Sequence, residues 1–233
     1  MISVCIATYN GEKYIKAQLE SILEQLSYED EVIISDDCSN DSTISIITAF
    51  NDPRIKIYKN HFRNVVKNFE FCIMMAAGDI IFLSDQDDIW KANKVFEFRK
   101  SFEEGYDLVI SDCEIMESSS GKIIEPSFYK FNNSGMGIVK NLISNSYIGC
   151  CMAFKSEIKN KVLPFPTNIP MHDSWIGLMA EIHGKVKFEP QKLIKYRLHS
   201  ANSSYTGTGK SRYGLLKKIN FRMVLIKNLL TRL

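Results

Sequence analysis

Asp85, Asp87 and Asp88 put three carboxylates into four residues, directly behind the apolar run Ile80-Ile81-Phe82-Leu83. Like charges this close repel one another and call for a counter-charge. Oxygen-rich clusters suit a hard divalent cation such as Mg²⁺ or Mn²⁺. The pattern therefore points to an anionic ligand handled through a metal, with a nucleotide diphosphate as the first candidate. A second acidic pair, Asp36-Asp37, follows the apolar run Val32-Ile33-Ile34. In doubly wound folds acids at this place accept hydrogen bonds from a ribose or base. The alternative is that they open a turn, with Ser39, Asn40 or Asp41 capping the next helix. Asp173 stands just before an apolar-periodic stretch over 175–183, as a helix N-cap or as a general base facing a bound hydroxyl. His199 ends Tyr196-Arg197-Leu198-His199, as a structural imidazole or as a ligand completing a metal's shell. Asp88 alone could cap a helix beginning near Trp90 or Lys91, which accounts for one carboxylate of the three. Trp90 and Trp175 flank the two acidic sites; each can stack on a sugar ring or pack in the core.

These side chains need a frame that brings them together. Short apolar runs bounded by turn residues predict strands over 2–8, 32–34, 54–58, 80–83 and 107–111. Helical spacing predicts helices over 15–26, 44–50, 69–75 and 95–102. Strand–helix alternation of this kind predicts an α/β fold, with a Rossmann-like, mostly parallel central sheet flanked by helices and right-handed crossovers. Both acidic clusters then sit at the carboxyl ends of strands, where open α/β sheets bind ligands. The second half is less regular. Residues 118–133 read as a long polar loop, 149–154 as a strand, and 186–188 and 193–198 as two short strands. The expected organisation is one domain over 1–209, with a nucleotide-binding half at 1–112 and an irregular acceptor half at 113–209.

Residues 210–233 differ in charge from the rest. They hold seven of the chain's 29 Lys/Arg and none of its 27 Asp/Glu, so residues 1–209 carry 22 basic and 27 acidic side chains. Leu215, Leu216, Ile219, Met223, Ile226 and Leu230 fall on one arc at helical spacing. The segment predicts a basic amphipathic helix that either packs on the domain or lies on an anionic membrane surface. An acidic partner is thus expected for the tail alone, and nucleic acid is not an expected partner. The six cysteines show no metal-ligand spacing and read as reduced thiols. The opening residues carry no signal-peptide pattern and no run reaches the length of a membrane span. The expected location is cytoplasmic, with the tail peripheral on the inner face of the plasma membrane.

Taken together the motifs resemble family 2 glycosyltransferases of the GT-A fold. Val4-Cys5-Ile6-Ala7-Thr8-Tyr9-Asn10 is similar to that family's opening strand and Thr-Tyr-Asn turn. Ser35-Asp36-Asp37-Cys38-Ser39-Asn40-Asp41-Ser42-Thr43 resembles its Asp-Asp-x-Ser-x-Asp-x-Thr signature, and the strand into Ser84-Asp85-Gln86-Asp87-Asp88-Ile89-Trp90 resembles its metal-binding Asp-x-Asp. The Ser-Asp-Gln-Asp-Asp-x-Trp form is similar to bacterial polysaccharide, O-antigen and capsule enzymes, rhamnosyltransferases among them. His172-Asp173-Ser174-Trp175 resembles their catalytic-base segment, and Tyr196-Arg197-Leu198-His199 with Asn202 their Tyr-Arg-x-His-x-x-Asn element. The resemblance spans residues 2–202. Cys38 stands where relatives often carry Gly, and Arg63-Asn64 fits the family's Asn-x-Gly region only loosely.

The resemblance implies a division of labour. Thr8 and Asp37 would touch the nucleotide, Asp37 at the base, with Tyr9 and Asp36 in the same site. Asp85 would contact the ribose. Asp87, with His199, would bind Mn²⁺ or Mg²⁺, and Asp173 would be the catalytic base. Asp88, Trp90 and Trp175 would line the sugar or acceptor pocket. The implied reaction is inverting transfer from a nucleotide diphosphate sugar, a UDP-hexose or dTDP-rhamnose, to a glycan hydroxyl. A lipid-linked acceptor on a polyprenyl diphosphate would suit a membrane-bound tail. A sugar nucleotidyltransferase would want a Gly-rich phosphate loop with a Lys, which Ala7–Gly11 does not provide. A non-catalytic carbohydrate-binding relative would have no use for Asp37, Asp87 and Asp173 together.

Overall fold

The computed structural model of the chain describes residues 1–200, Asn202 and 213–232. In chain order the elements are β1 (Ile2–Thr8), α1 (Ile15–Leu23), β2 (Glu31–Asp36), α2 (Thr43–Ala49), β3 (Ile55–Lys59), α3 (Val65–Met75), β4 (Ile80–Asp85), β5 (Ile89–Trp90) and α4 (Lys94–Glu103). They continue with β6 (Leu108–Glu117), β7 (Ile123–Glu125), α5 (Phe128–Asn132), α6 (Ile138–Ile143), a 3₁₀ turn (Gly149–Cys151), β8 (Met152–Lys155), α7 (Ser156–Val162), α8 (His172–His183), β9 (Val186–Leu198) and α9 (Leu215–Leu230).

One sheet runs β3-β2-β1-β4-β8-β6-β9-β5, with β7 on the side of β6. The first four strands are parallel, as the alternation of strands and helices predicts. From β8 onward the sheet is mixed: β8 runs antiparallel to β4 and β6, β5 antiparallel to β9, and β6 and β9 are parallel. The "mostly parallel" expectation holds for the nucleotide half and gives way to a mixed sheet beyond it. The strands β1, β2 and β4 are nearly continuous hydrophobic runs because both of their faces are covered. Close approach fixes β4 beside β1: Gly78 donates its N–H to Ser3 Oγ at 2.7 Å, and a Cβ on Gly78 would come within 2.6 Å of the Ser3 backbone nitrogen.

The irregular half departs from the sequence expectations for identifiable reasons. Residues 118–133 are not one loop. Ser127 accepts from the Lys130 N–H and so caps α5. Buried Asp112 then accepts from Ser127 Oγ at 2.6 Å and from the Tyr129 N–H at 2.9 Å, which ties α5 to β6. The two short strands expected over 186–198 are one strand, β9. Its register on β6 shifts on either side of Asp112, opposite Glu189-Pro190-Gln191. Proline cannot donate to the ladder, and such an irregularity lets the strand continue past it. Residues 149–151 are a 3₁₀ turn ahead of β8.

The tail helix α9 also differs from a simple amphipathic reading. Leu225 and Leu229 pack inward, while the arc of Leu215, Leu216, Ile219, Met223, Ile226 and Leu230 faces out. Lys210, Arg212 and Leu233 of that segment lie outside the described residues. No helix among the described residues is long and apolar enough to cross a membrane.

Candidate active site

Parallel pairing brings the carboxyl ends of β1, β2 and β4 level. Thr8 lies opposite Asp36, and Ala7 opposite Asp85. The turns after β1 and β2 are then sewn together. Asn10 N–H donates to Ser39 Oγ at 2.8 Å, Asn40 N–H to Asn10 Oδ1 at 2.9 Å, Gly11 N–H to Thr43 Oγ1 at 2.7 Å and Glu12 N–H to Asp41 Oδ2 at 3.1 Å. The Thr-Tyr-Asn and Asp-Asp-x-Ser-x-Asp-x-Thr motifs are thus two halves of one hydrogen-bonded rim. Cys38 takes φ 66 within it, the left-handed conformation that glycine enters without strain.

Within the rim, Asp36 is occupied. It accepts from Thr8 Oγ1 at 2.9 Å, from Ser39 N–H at 2.9 Å and from Ser39 Oγ at 2.5 Å. Asp36 and Thr8 are both buried, and the geometry gives Asp36 the turn-holding role. Asp37 accepts from the N–H groups of Arg63 (2.8 Å) and Asn64 (2.9 Å), one on each oxygen, and Asn64 in turn caps α3. Each Asp37 oxygen can take a second donor. Tyr9 leaves its ring exposed while the Gln86 amide clamps its backbone, accepting from the N–H at 2.9 Å and donating to the carbonyl at 3.0 Å.

The carboxylates after β4 point different ways. Asp87 meets His199 Nε2 at 2.8 Å. Asp88 is fully buried; it accepts from the Arg197 N–H at 2.9 Å, and its other oxygen has no hydrogen-bond partner among the described residues. It caps no helix, because α4 begins only at Lys94 behind Asn93. Cys150 Sγ lies within 4.8 Å of both the Asp85 and Asp88 carboxylates. Burial raises the Asp85 carboxyl to about 8, helped by the charges of Asp87 and Asp173. Burial, then Asp87 and Asp85, raise that of Asp88.

His199 is held from several sides. Its ring stacks on Tyr14 with centroids 4.7 Å apart, and its backbone N–H donates to Asn202 Oδ1 at 2.5 Å. Asn202 Nδ2 donates to the Arg197 carbonyl at 3.1 Å, closing the chain back on β9. Arg197 also lays its guanidinium 5.0 Å from the Tyr14 ring centre. The Tyr-Arg-x-His-x-x-Asn element is therefore a device for aiming one imidazole at Asp87.

Asp173 sits in the first turn of α8, whose N-cap is Met171, so it is not the cap. It accepts from Ser174 N–H at 2.5 Å and Ser174 Oγ at 3.2 Å, and burial raises its carboxyl to about 6 despite these bonds. Its charge contributes to raising Asp85, so the two carboxyl groups lie near enough to influence each other.

Both tryptophans are corrected. Trp175 is fully buried with its indole N–H on the Val162 carbonyl at 3.0 Å. Trp90 is buried against Phe82, with Lys94 Nζ 4.1 Å from its ring centre. Neither has a face to offer a sugar. Two further residues, Lys94 and Tyr14, escaped sequence reasoning, and His172 was legible only as part of the base segment. Lys94 is fully buried and donates to the Cys150 carbonyl at 2.7 Å, beneath the acids. His172 is buried on Phe69 with centroids 4.0 Å apart, neither ring nitrogen has a hydrogen-bond partner among the described residues, and burial lowers it to about 3. The helical spacing of Lys94 with Val95 and Phe98 was a readable signal for that residue; nothing local marked Tyr14.

The donor set fits a divalent cation. Asp87 and His199 offer a carboxylate oxygen and an imidazole nitrogen side by side, and the crowded Asp85 and Asp88 favour positive charge nearby. Cys150 is a soft thiol and suits Mg²⁺ or Mn²⁺ poorly, so it reads as a neighbour of the acids and not a ligand.

Comparison with known proteins follows this geometry. A family model described as "Glycosyl transferase family 2" matches residues 3–163. A UDP-Glc:alpha-D-GlcNAc-diphosphoundecaprenol beta-1,3-glucosyltransferase, WfgD of Escherichia coli, is 29% identical over 154 residues, covering 64% of this chain and 58% of that protein. A dTDP-rhamnosyl transferase, RfbG of Shigella flexneri, is 40% identical over 98 residues, 39% of this chain and 34% of that one. Among solved structures, S. aureus TarS 1–349 in complex with UDP-GlcNAc superposes with TM-score 0.74 at 18% identity, over 97% of this chain and 66% of that one. The mannosyltransferase PcManGT of Pyrobaculum calidifontis, solved with GDP-Man and Mn²⁺, gives TM-score 0.66 at 18% identity, over 86% and 58%. The chain thus spans about a third to two thirds of the length of these proteins.

Proposed function

Because the chain belongs to glycosyl transferase family 2 and has the GT-A fold, we propose that it transfers a sugar, with inversion, from a nucleotide diphosphate sugar to a hydroxyl of a glycan acceptor in bacterial polysaccharide synthesis. The observation that carries this reading is the hydrogen-bonded rim that gathers the Thr-Tyr-Asn and Asp-Asp-x-Ser-x-Asp-x-Thr motifs at the carboxyl ends of β1 and β2, level with Asp85 at the end of β4. Asp173, raised to about 6, lies near enough for its charge to raise Asp85.

In this reading residues 1–112 hold the donor and 113–209 the acceptor. The β1–β2 rim takes the nucleotide, with Asp37 accepting a base N–H and Asp85 a ribose hydroxyl. Thr8 and Asp36 shape that rim by their mutual hydrogen bond. Asp87 and His199 would hold Mn²⁺ or Mg²⁺, which supplies charge stabilisation to the departing diphosphate. Asp173 takes the proton of the acceptor hydroxyl as that oxygen attacks the anomeric carbon from the side opposite the leaving group. A carboxylate with a raised pKa is a stronger base than an ordinary one and remains ionised at neutral pH. The Asp173 carboxylate also favours positive charge developing at the sugar ring, as in glycoside hydrolysis.

We extend the proposal to a UDP-hexose or dTDP-rhamnose donor and to an acceptor carried on a polyprenyl diphosphate. WfgD and RfbG, named for such substrates, support this by resemblance. The site of action would be cytoplasmic, at the inner face of the plasma membrane. The test is a panel of nucleotide sugars with Mn²⁺ and a polyprenyl-diphosphate-linked sugar. Appearance of one extended lipid-linked glycan and free nucleoside diphosphate is the expected result. Release of pyrophosphate from a nucleoside triphosphate and sugar phosphate instead would assign the chain to nucleotidyl transfer.

A further inference from the structure

We propose that the outward face of α9, continued by α6, docks the protein on an anionic lipid surface. The helix already has a packed side. Leu225 and Leu229 are buried, Arg222 donates to the carbonyls of Leu142 (2.8 Å) and Ile143 (2.7 Å), and Arg232 to those of Leu163 (3.2 Å) and Pro164 (2.5 Å). Domain packing therefore accounts for that side and leaves the exposed apolar arc beside it unexplained.

The arc next to that packed side is exposed and apolar throughout. Leu215, Leu216, Ile219, Met223, Ile226 and Leu230 are 42–84% exposed. At about 100° per residue they fill an arc of about 100° with no polar residue inside it. Arg222 brings α6 alongside one edge of the arc, and α6 adds exposed Val139 and Ile143. An exposed apolar arc of this length, flanked by a second helix that also exposes apolar side chains, marks an interaction site.

Charge selects the occupant. Lys227 is exposed just beyond the other edge of the arc, Lys217 is exposed farther round the helix, and residues 210–233 hold seven cations and no anion, against a net negative remainder. An apolar strip on a helix whose only charges are cationic is the pattern of a helix lying in a membrane interface, its lysines reaching the headgroups. A second copy fits less well. A two-fold contact through this face would set one cationic helix against its equal, and lysine is depleted in protein interfaces.

The docking is separate from sugar transfer, so either reading can fail alone. The test is flotation of the full chain with vesicles of phosphatidylglycerol and phosphatidylcholine, and with vesicles of phosphatidylcholine alone, without nucleotide sugar. Partitioning roughly tenfold stronger to the anionic vesicles is expected, weakening with added salt. The double variant Leu216→Glu, Met223→Glu, altered only at exposed positions, should keep the thermal midpoint and lose binding roughly tenfold. Leu216→Gln, Met223→Gln serves the same purpose without new charge. Absence of flotation, equal flotation of the variants, or concentration-dependent self-association that these substitutions abolish without any lipid binding would overturn the proposal.

Discussion

At the scale of single residues, the site is built by opposing environments imposed on one residue type. Asp36 is fully engaged by Thr8 and Ser39, Asp37 is pinned by two backbone N–H groups, Asp87 is paired with His199, and Asp173 is buried with its carboxyl raised to about 6. Only the last suits a base. The sign of its pH dependence follows. The base must be ionised, so kcat/KM for transfer should be level above about pH 6 and fall about tenfold per pH unit below it. A pH profile with saturating cation checks this; a plateau continuing to pH 4 would contradict it. The same residue explains why Trp175 was misread. Two residues along a helix is about 200° of rotation, so an Asp173 that faces the cleft sends Trp175 into the core. Trp90 was misread for a similar reason: β5 alternates, and Trp90 lies on its buried side. A neighbour in sequence to an acid is not its neighbour in space.

At the scale of elements, the parallel half was legible because each strand is an apolar run closed by a polar turn. The later half was not. Pro190 interrupts the run that would have marked β9, and α5 depends on Asp112, a residue 15 positions before its cap. Two predictions belong here. Gly78→Ala should lower stability by about 2 kcal/mol or more, since the new Cβ meets the backbone of β1, which cannot yield as a flexible side chain would. A denaturant midpoint equal to wild type would contradict the close packing of β4 on β1. Asn202→Ala should release His199 from its aimed position and weaken Mn²⁺ binding by roughly tenfold or more, with little change in the melting temperature without metal. Titration by calorimetry reads this directly; unchanged affinity would remove His199 from the cation site.

At the scale of the whole molecule, one sheet joins the parallel strands β1–β4 to the mixed strands of the second half, and α9 packs beside α6. The order of the motifs was enough to name the family. What aims them was only partly readable: Lys94 keeps helical spacing with Val95 and Phe98 and His172 lies inside the base segment, but Tyr14 holds His199 and Arg197 through contacts across the fold. Burial of acids that repel one another predicts that ligands will stabilise the fold. Donor nucleotide at about 100 times its Kd with Mn²⁺ should raise the melting temperature by roughly 5–10 °C, and chelator should abolish the gain. An equal rise in chelator would contradict metal-assisted donor binding. The most direct test of the central claim is the Asp173→Asn variant assayed for donor binding and for transfer together. The expected result is donor affinity within about twofold of wild type and transfer reduced by about 10²-fold or more, the scale of losing a general base. Transfer at the wild-type rate in that variant would contradict the account.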